Sequence, residues 1–321
     1  MKKTLAALCA LSLSALAMPA QAQDYPAKEL RIICGYAPGT GADAVCRFFA
    51  EHLKSRYNKP ILVENKPGAG TSIASEYVAR AKPDGYTLFI NPGNGLAGNP
   101  YLYKNLSHDV LKDFAPVTTL VKLPFVLAVS MKSPATNVKE FLALMKQKGD
   151  KSSYGYPNNL SLAAGELLKE RAGLLSVQVP YKSTPEALGD MNNGLIDFLW
   201  SDITFALGQS REGRMRSLAV TSAERTALDK SLPTLKESGV PDFQMEAWWG
   251  AWFPANTPKP IVEQMSKWLN EILADPTERE QLIKLAPSDP FPGTPESTYE
   301  YLKQDIPRWA DLFTRAKVER Q

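Results

Sequence analysis

Leu30-Arg31-Ile32-Ile33-Cys34-Gly35-Tyr36-Ala37-Pro38-Gly39-Thr40-Gly41-Ala42-Asp43 is the stretch that decides the fold. A short apolar run gives way to a glycine-rich turn. Beyond it, apolar residues recur at Val45, Phe48, Phe49 and Leu53, which is helical spacing. Strand, turn and helix in that order open a βαβ unit, and such units build mainly parallel sheets with helices on both faces.

The unit repeats down the chain. Pro60 to Glu64 reads as a strand and is followed by the Pro67-Gly68-Ala69-Gly70 turn, a helix through Ser75 to Ala79, and a third strand at Tyr86 to Ile90. A second run of units begins near Pro124, with strands at Phe125–Val129, Ser153–Tyr156, Val177–Val179, Ile196–Trp200 and Leu218–Val220. Trp248 to Pro254 reads as a returning strand, and helical patterns fill the C-terminus. The simplest division is one lobe from residues 23–122 and 229–321 and a second from 123–228, with the chain crossing near 121–125 and 221–230. Two such lobes leave a cleft at the carboxyl ends of their strands, where α/β sheets take ligands.

Residues 1–22 carry the layout of a cleaved export leader: Lys2 and Lys3, an apolar stretch from Leu5 to Met18, then Ala20-Gln21-Ala22. Leu8 precedes Cys9 where a lipid-modified cysteine needs a small residue. The expected location is therefore the periplasm. The chain has 37 Lys and Arg against 34 Asp and Glu. Removing the leader takes away two lysines, so the exported protein is close to neutral, with its charges scattered. Nucleic acid, which needs a basic face, is not an expected partner. Cys34 and Cys46 remain, one at the end of a strand and one in the following helix. They are compatible with a disulfide or with two small buried side chains. With two histidines, no CxxC and no HExxH, neither a metal site nor a cofactor is expected.

The Gly39-Thr40-Gly41 turn admits three readings. Helix N-termini present unpaired N–H groups and a partial positive charge, and glycine lets an anion approach them. A carboxylate fits that chemistry. A dinucleotide pyrophosphate fits the Gly39-x-Gly41-x-x-Ala44 spacing loosely, but Pro38 stiffens the turn and Asp43 opposes the phosphates. A purely structural turn is the third. Asp43 itself suits the first turn of a helix, where an acid complements the dipole. A secreted hydrolase is the enzyme alternative. It lacks both a GxSxG elbow and a credible histidine, although Asp43 and Asp202 are available as an acid pair.

Motifs in consistent order make the chain resemble the Bug family of periplasmic solute receptors, which serve tripartite tricarboxylate transporters. They run from Tyr36–Asp43 through Val63-Glu64-Asn65-Lys66-Pro67-Gly68-Ala69-Gly70, Lys82-Pro83-Asp84-Gly85-Tyr86, Asn99-Pro100-Tyr101, Asp113-Phe114-Ala115-Pro116-Val117, Val179-Pro180-Tyr181-Lys182 and Leu218–Arg225 to Ala274-Asp275-Pro276. The resemblance implies an α/β, two-lobe periplasmic-binding-protein fold of type II kind. It also implies a monomer that captures one small organic acid without catalysis and presents it to membrane transporter subunits or a sensor protein. By position, Tyr36, Ala37, Pro38, Gly39, Thr40, Gly41 and Asp43 form one wall of the cleft, joined by Asn91, Gly93 and Asn94. Asn158, Asn159, Ser161, Lys182, Ser183, Trp200 and Asp202 face them from the other lobe. Two departures stand out. The loop after Tyr154 is shorter and bulkier than the family's usual one, and Ser201-Asp202 stands where the family tends to have Asp-Asn. Together with Tyr36, Tyr156, Leu160 and Trp200 they point to an acid with an apolar or aromatic body.

Overall fold

The computed structural model describes residues 25–181, 183–286, 288–315 and 320; the leader expected at 1–22 lies outside them, as does Lys182. In chain order the elements are β1 (Leu30–Cys34), α1 (Gly41–Tyr57), β2 (Ile61–Asn65), α2 (Ser72–Ala79), β3 (Thr87–Pro92), α3 (Gly93–Leu102) and β4 (Phe114–Val129). Next come α4 (Val138–Lys148), β5 (Ser153–Tyr156), α5 (Asn159–Ala172), β6 (Val177–Pro180), α6 (Thr184–Asn192), β7 (Phe198–Asp202), α7 (Ile203–Arg211) and β8 (Arg216–Val220). The chain closes with β9 (Glu246–Pro254), α8 (Lys259–Ala274), α9 (Pro276–Leu285), β10 (Asp289–Pro290) and α10 (Pro295–Arg315).

β1 is buried except at Arg31, as a strand covered on both faces should be. It lies parallel between β2 and β3. β9 then runs antiparallel to β3, and β4 antiparallel to β9, giving the order β2-β1-β3-β9-β4. The second half repeats this plan. β5 lies parallel between β6 and β7, β7 pairs antiparallel with β4, and β4 pairs antiparallel with β8. Its order is β6-β5-β7-β4-β8. Each half is thus mainly parallel with one reversed strand.

β4 belongs to both halves. Its residues from Phe114 to Pro124 pair with β9, and those from Phe125 to Val129 pair with β7 and β8. The sequence reading saw only the second portion as strand. Pro116 and Pro124 argue against a continuous central strand, since each removes a ladder donor. The structure accommodates Pro116 at a register shift, and Pro124 where the strand changes partners.

Residues 229–243 lie along β8. Val220 bridges to Thr234, Leu232 packs with the β7–α7 core, and Phe243 stacks on Trp200 at 5.7 Å. The return comes at the start of β9, where Thr221 acts as a fastener. Its N–H donates to Phe125 O at 2.9 Å, its Oγ1 accepts from Phe125 N at 2.8 Å, and its carbonyl accepts from Met245 N at 2.9 Å. Thr221 is fully buried. One residue therefore ties the outgoing crossing at Phe125 to the return at Met245.

Replacing Thr221 by valine keeps its shape and leaves the buried Phe125 N–H unpaired. A loss of about 1–3 kcal/mol is expected. It should appear as a lower denaturant midpoint at unchanged slope in equilibrium unfolding.

Candidate functional site

Alternation of strand and helix puts the N-termini of α1, α3, α5 and α7 at the carboxyl ends of β1, β3, β5 and β7. Sheet register then fixes how those ends face each other. Pro92, the last residue of β3, lies level with Trp249 of β9, and Trp249 with Val121 of β4. Asp202, the last residue of β7, pairs with Phe125. The two ends are therefore four residues apart along β4, or about 13 Å at strand spacing, on either side of the crossing.

The first wall is built around the turn after β1. Gly39 sits at a φ of 80°, a left-handed value that favours glycine. Thr40 caps α1, its Oγ1 accepting the Asp43 N–H at 3.2 Å. Asp43 is buried. Its Oδ2 accepts the Gly39 N–H at 2.8 Å and Arg47 Nε at 2.8 Å, and its Oδ1 accepts Asn65 Nδ2 at 2.8 Å. Burial opposes the charge of Asp43, but those three donors outweigh it and hold the carboxyl below its ordinary value. Asp43 is thus an anion already resident in the turn. The Gly39 donor is spent on it, while the N–H groups of Gly41 and Ala42, at the first turn, have no partner within the helix. Ala37, Pro38, Gly39 and Thr40 are exposed. Tyr36 packs against Trp249 at 5.9 Å, and burial pushes its phenol up to about 12.

Asn91 stands beside this turn. It is fully buried, and its Nδ2 donates to Thr71 Oγ1 at 3.0 Å while its Oδ1 has no partner. That oxygen points at Gly35, where an added Cβ would lie 2.7 Å away. Asn94 Oδ1 is likewise buried without a partner. Gly93 opens α3 under the Trp248 ring, leaving no room for a side chain: a Cβ would meet ring carbons at 2.1 Å. Sequence reasoning missed Thr71 and Asn65. Thr71 holds a φ of 76°, a strained value for a β-branched residue, beneath the Asn91 amide. The glycine-rich turn before Thr71 was visible, but nothing in the sequence marked the threonine.

In the other half, three of the expected polar residues, Asn158, Ser183 and Asp202, are helix caps. Asn158 accepts the Ser161 N–H at 2.9 Å and the Ser161 hydroxyl at 3.1 Å; Ser183 caps α6, and Asp202 caps α7 by accepting the Phe205 N–H at 2.9 Å. Ser161 is buried, with its Oγ 3.4 Å from Trp200 O. Trp200 is fully buried and stacked on Phe243, and its Nε1 has no partner. The backbone of Asn159 starts α5. The structure thus gathers Tyr36–Asp43, Asn91, Gly93 and Asn94 at one edge of the crossing and Asn158, Ser161, Trp200 and Asp202 at the other. Among the described residues, no hydrogen bond joins the two groups.

A separate cleft of about 370 Å³ lies between α5 and α10, lined by Arg171, Phe243, Glu246 and Asp305 among others. None of the residues expected to bind a ligand lines it.

A model of the tripartite tricarboxylate transporter family receptor matches residues 45–317. The chain belongs to this family. It is 31% identical over 315 residues to a UPF0065 protein of Bordetella bronchiseptica, covering 97% of this chain and 93% of that one. It is similar to the periplasmic binding protein BugD, at 33% identity and TM-score 0.74, over 92% of this chain and all of that one. It is also similar to Rpa4515 of R. palustris, solved with adipate, at 26% identity and TM-score 0.79, over 93% of this chain and all of that one. The receptor is a two-lobe α/β protein of the periplasmic solute-binding class.

Replacing Asp43 by alanine strands three donors, and a loss of about 1.5–3 kcal/mol is expected at neutral pH. A carboxylate with a depressed folded value stabilises fully above its unfolded value, ordinarily about 3.8, and loses that contribution as pH falls through the folded value. The stability gap between Asp43→Ala and the parent, measured by urea unfolding from pH 7 down to pH 2.5, should therefore shrink only below about pH 4.

Proposed function

We propose that this receptor closes its two lobes on a small organic carboxylate in the periplasm, releases it unchanged, and presents the closed form to transporter subunits or a sensor protein. The export leader read at residues 1–22 supports the location. The lobes we assign are residues 25–124 with 246–315, and residues 125–243, with the pivot at Thr221.

The observation that carries the proposal is the convergence of helix N-termini on the crossing from both sides, with first-turn N–H groups left for a guest. Charge-assisted hydrogen bonds from such donors hold a carboxylate without a cationic side chain. Asn91 supports this reading. Thr71 Oγ1 is a donor as well as an acceptor, so turning the Asn91 amide over would pair its Oδ1 with Thr71 and free Nδ2 for an anion. The adipate bound by the R. palustris relative is the reason to begin with dicarboxylates. Trp200 lies in the core against Phe243, so an aromatic acid would have to find its apolar contacts at Tyr36, Tyr156 and Leu160.

Catalysis has little to draw on. His52 lies well down α1 and pairs with Glu278 at 3.1 Å, and His108 packs edge-on against Phe114. Asp43 and Asp202, the acid pair considered from sequence, are taken up by the α1 turn and the α7 cap.

Asn158→Asp keeps an efficient cap while adding a negative charge at the cleft. It should weaken carboxylate binding by at least about tenfold, a conversion of 1.4 kcal/mol or more. Asn137→Asp, at the cap of α4 on the far end of the sheet, is the control and should leave affinity unchanged. Titration calorimetry with adipate, shorter dicarboxylates and aromatic acids reads both. Equal effects of the two variants, or no binding by any acid, would sink the proposal. So would recovery of an altered ligand after incubation.

A further inference from the structure

Beneath the turn after β1 lie two thiols that the ligand-binding reading does not use. Cys34 is the last residue of β1 and Cys46 lies in the second turn of α1; both are buried and free. Cys46 Sγ lies 3.6 Å from Ile90 O, and Ile90 is the residue of β3 paired with Cys34. Cys34 Sγ lies 3.9 Å from Ala42 O, one helical turn before Cys46. The helix thus hands its sulfur to the strand, and the strand its sulfur to the helix. The two side chains share one apolar site, together with Val45, Phe49 and Trp249. Two thiols that each reach toward the element carrying the other are more than small apolar fillers, because an exported chain meets an oxidising compartment.

We infer that Cys34 and Cys46 are a dithiol–disulfide pair that, when oxidised, clamps the start of α1 to the end of β1. The attacking sulfur is Cys34. The Cys46 thiol, hydrogen-bonding to it, holds Cys34 below the ordinary thiol value, while burial pushes Cys46 up. The Cys34 thiolate attacks one sulfur of an external disulfide, such as oxidised glutathione or a disulfide-donating protein, and expels one thiol. Cys46 gives up its proton and attacks the Cys34 sulfur of the mixed disulfide, expelling the second. The pair loses two electrons and two protons, and the external disulfide becomes two thiols. Both thiols are fully buried, so the exchange requires the exposed turn at residues 37–40 to open. The bond closes a loop holding the whole glycine turn, so it restricts the segment that presents the α1 donors. The clamp forms or fails whether or not the guest is a carboxylate.

Trypsin makes the test direct. No lysine or arginine separates the two cysteines, so both fall in one peptide, Ile32–Arg47. The exported protein is equilibrated with oxidised glutathione or with dithiothreitol, then unfolded and alkylated before digestion. After oxidation the peptide should be about 2 Da lighter than its dithiol form and carry no alkyl group; after reduction it should carry two. Oxidation should also raise the melting temperature by several degrees, and Cys46→Ala should abolish both the mass loss and that rise. A peptide still alkylated twice after oxidation overturns the inference. So does a stable glutathione adduct in the parent protein, or a rise that persists in Cys46→Ala.

Discussion

A single continuous strand holds the two halves of this receptor in relation. β4 serves one sheet as far as Pro124 and the other from Phe125 onward, so neither half can be completed without it. The chain must nevertheless come back, and Thr221 decides where. Its backbone and hydroxyl satisfy Phe125 on the outgoing strand and Met245 on the returning one. Buried backbone groups demand partners, so this knot sets the spacing between the lobes more firmly than any surface contact. Everything at the cleft is positioned relative to it.

Given that pivot, the repeated strand order explains the polarity of the cleft. In each half the helices follow parallel strands, so their positive ends collect at the edge facing the crossing. A protein with so many exposed helix starts has to keep them soluble and fixed. It does so with local side chains: Thr40, Asn158, Ser183 and Asp202 each take a first-turn donor. Asp43 goes further, neutralised by Arg47 and anchored by Asn65 and Gly39. The turn therefore presents dipoles rather than net charge.

The fold class was legible because strand and helix periodicities alternate cleanly, and β1 with α1 announced the plan within fourteen residues. What resisted reading depended on contacts remote in sequence. Pro116 and Pro124 hid the length of β4, because whether proline fits a strand depends on the register of a partner more than a hundred residues away. Residues 229–243 lack strand or helix periodicity, and their place beside β8 follows from contacts remote in sequence, such as Leu232 with the β7–α7 core and Phe243 with Trp200. At the site, the turns were visible but the roles were not. Spacing places Asp43 in a first turn; it does not reveal that the carboxylate folds back onto the Gly39 N–H. Asn91 and Trp200 were visible as residues after strands. That one keeps an unpaired oxygen aimed at the turn while the other stacks on Phe243 depends on packing across elements.

The same contacts bear on how easily the lobes move. Away from the pivot, α10 reaches from the first half to α5 of the second, where Arg315 pairs with Glu170 at 2.7 Å. Both side chains are more than a third exposed, and such pairs contribute no more than about 1 kcal/mol. That ion pair therefore adds little, and what joins α5 to α10 is a shared buried apolar cluster that includes Leu167, Leu168, Trp309 and Phe313. A guest shifts an open–closed equilibrium only by the difference in its contacts between the two states.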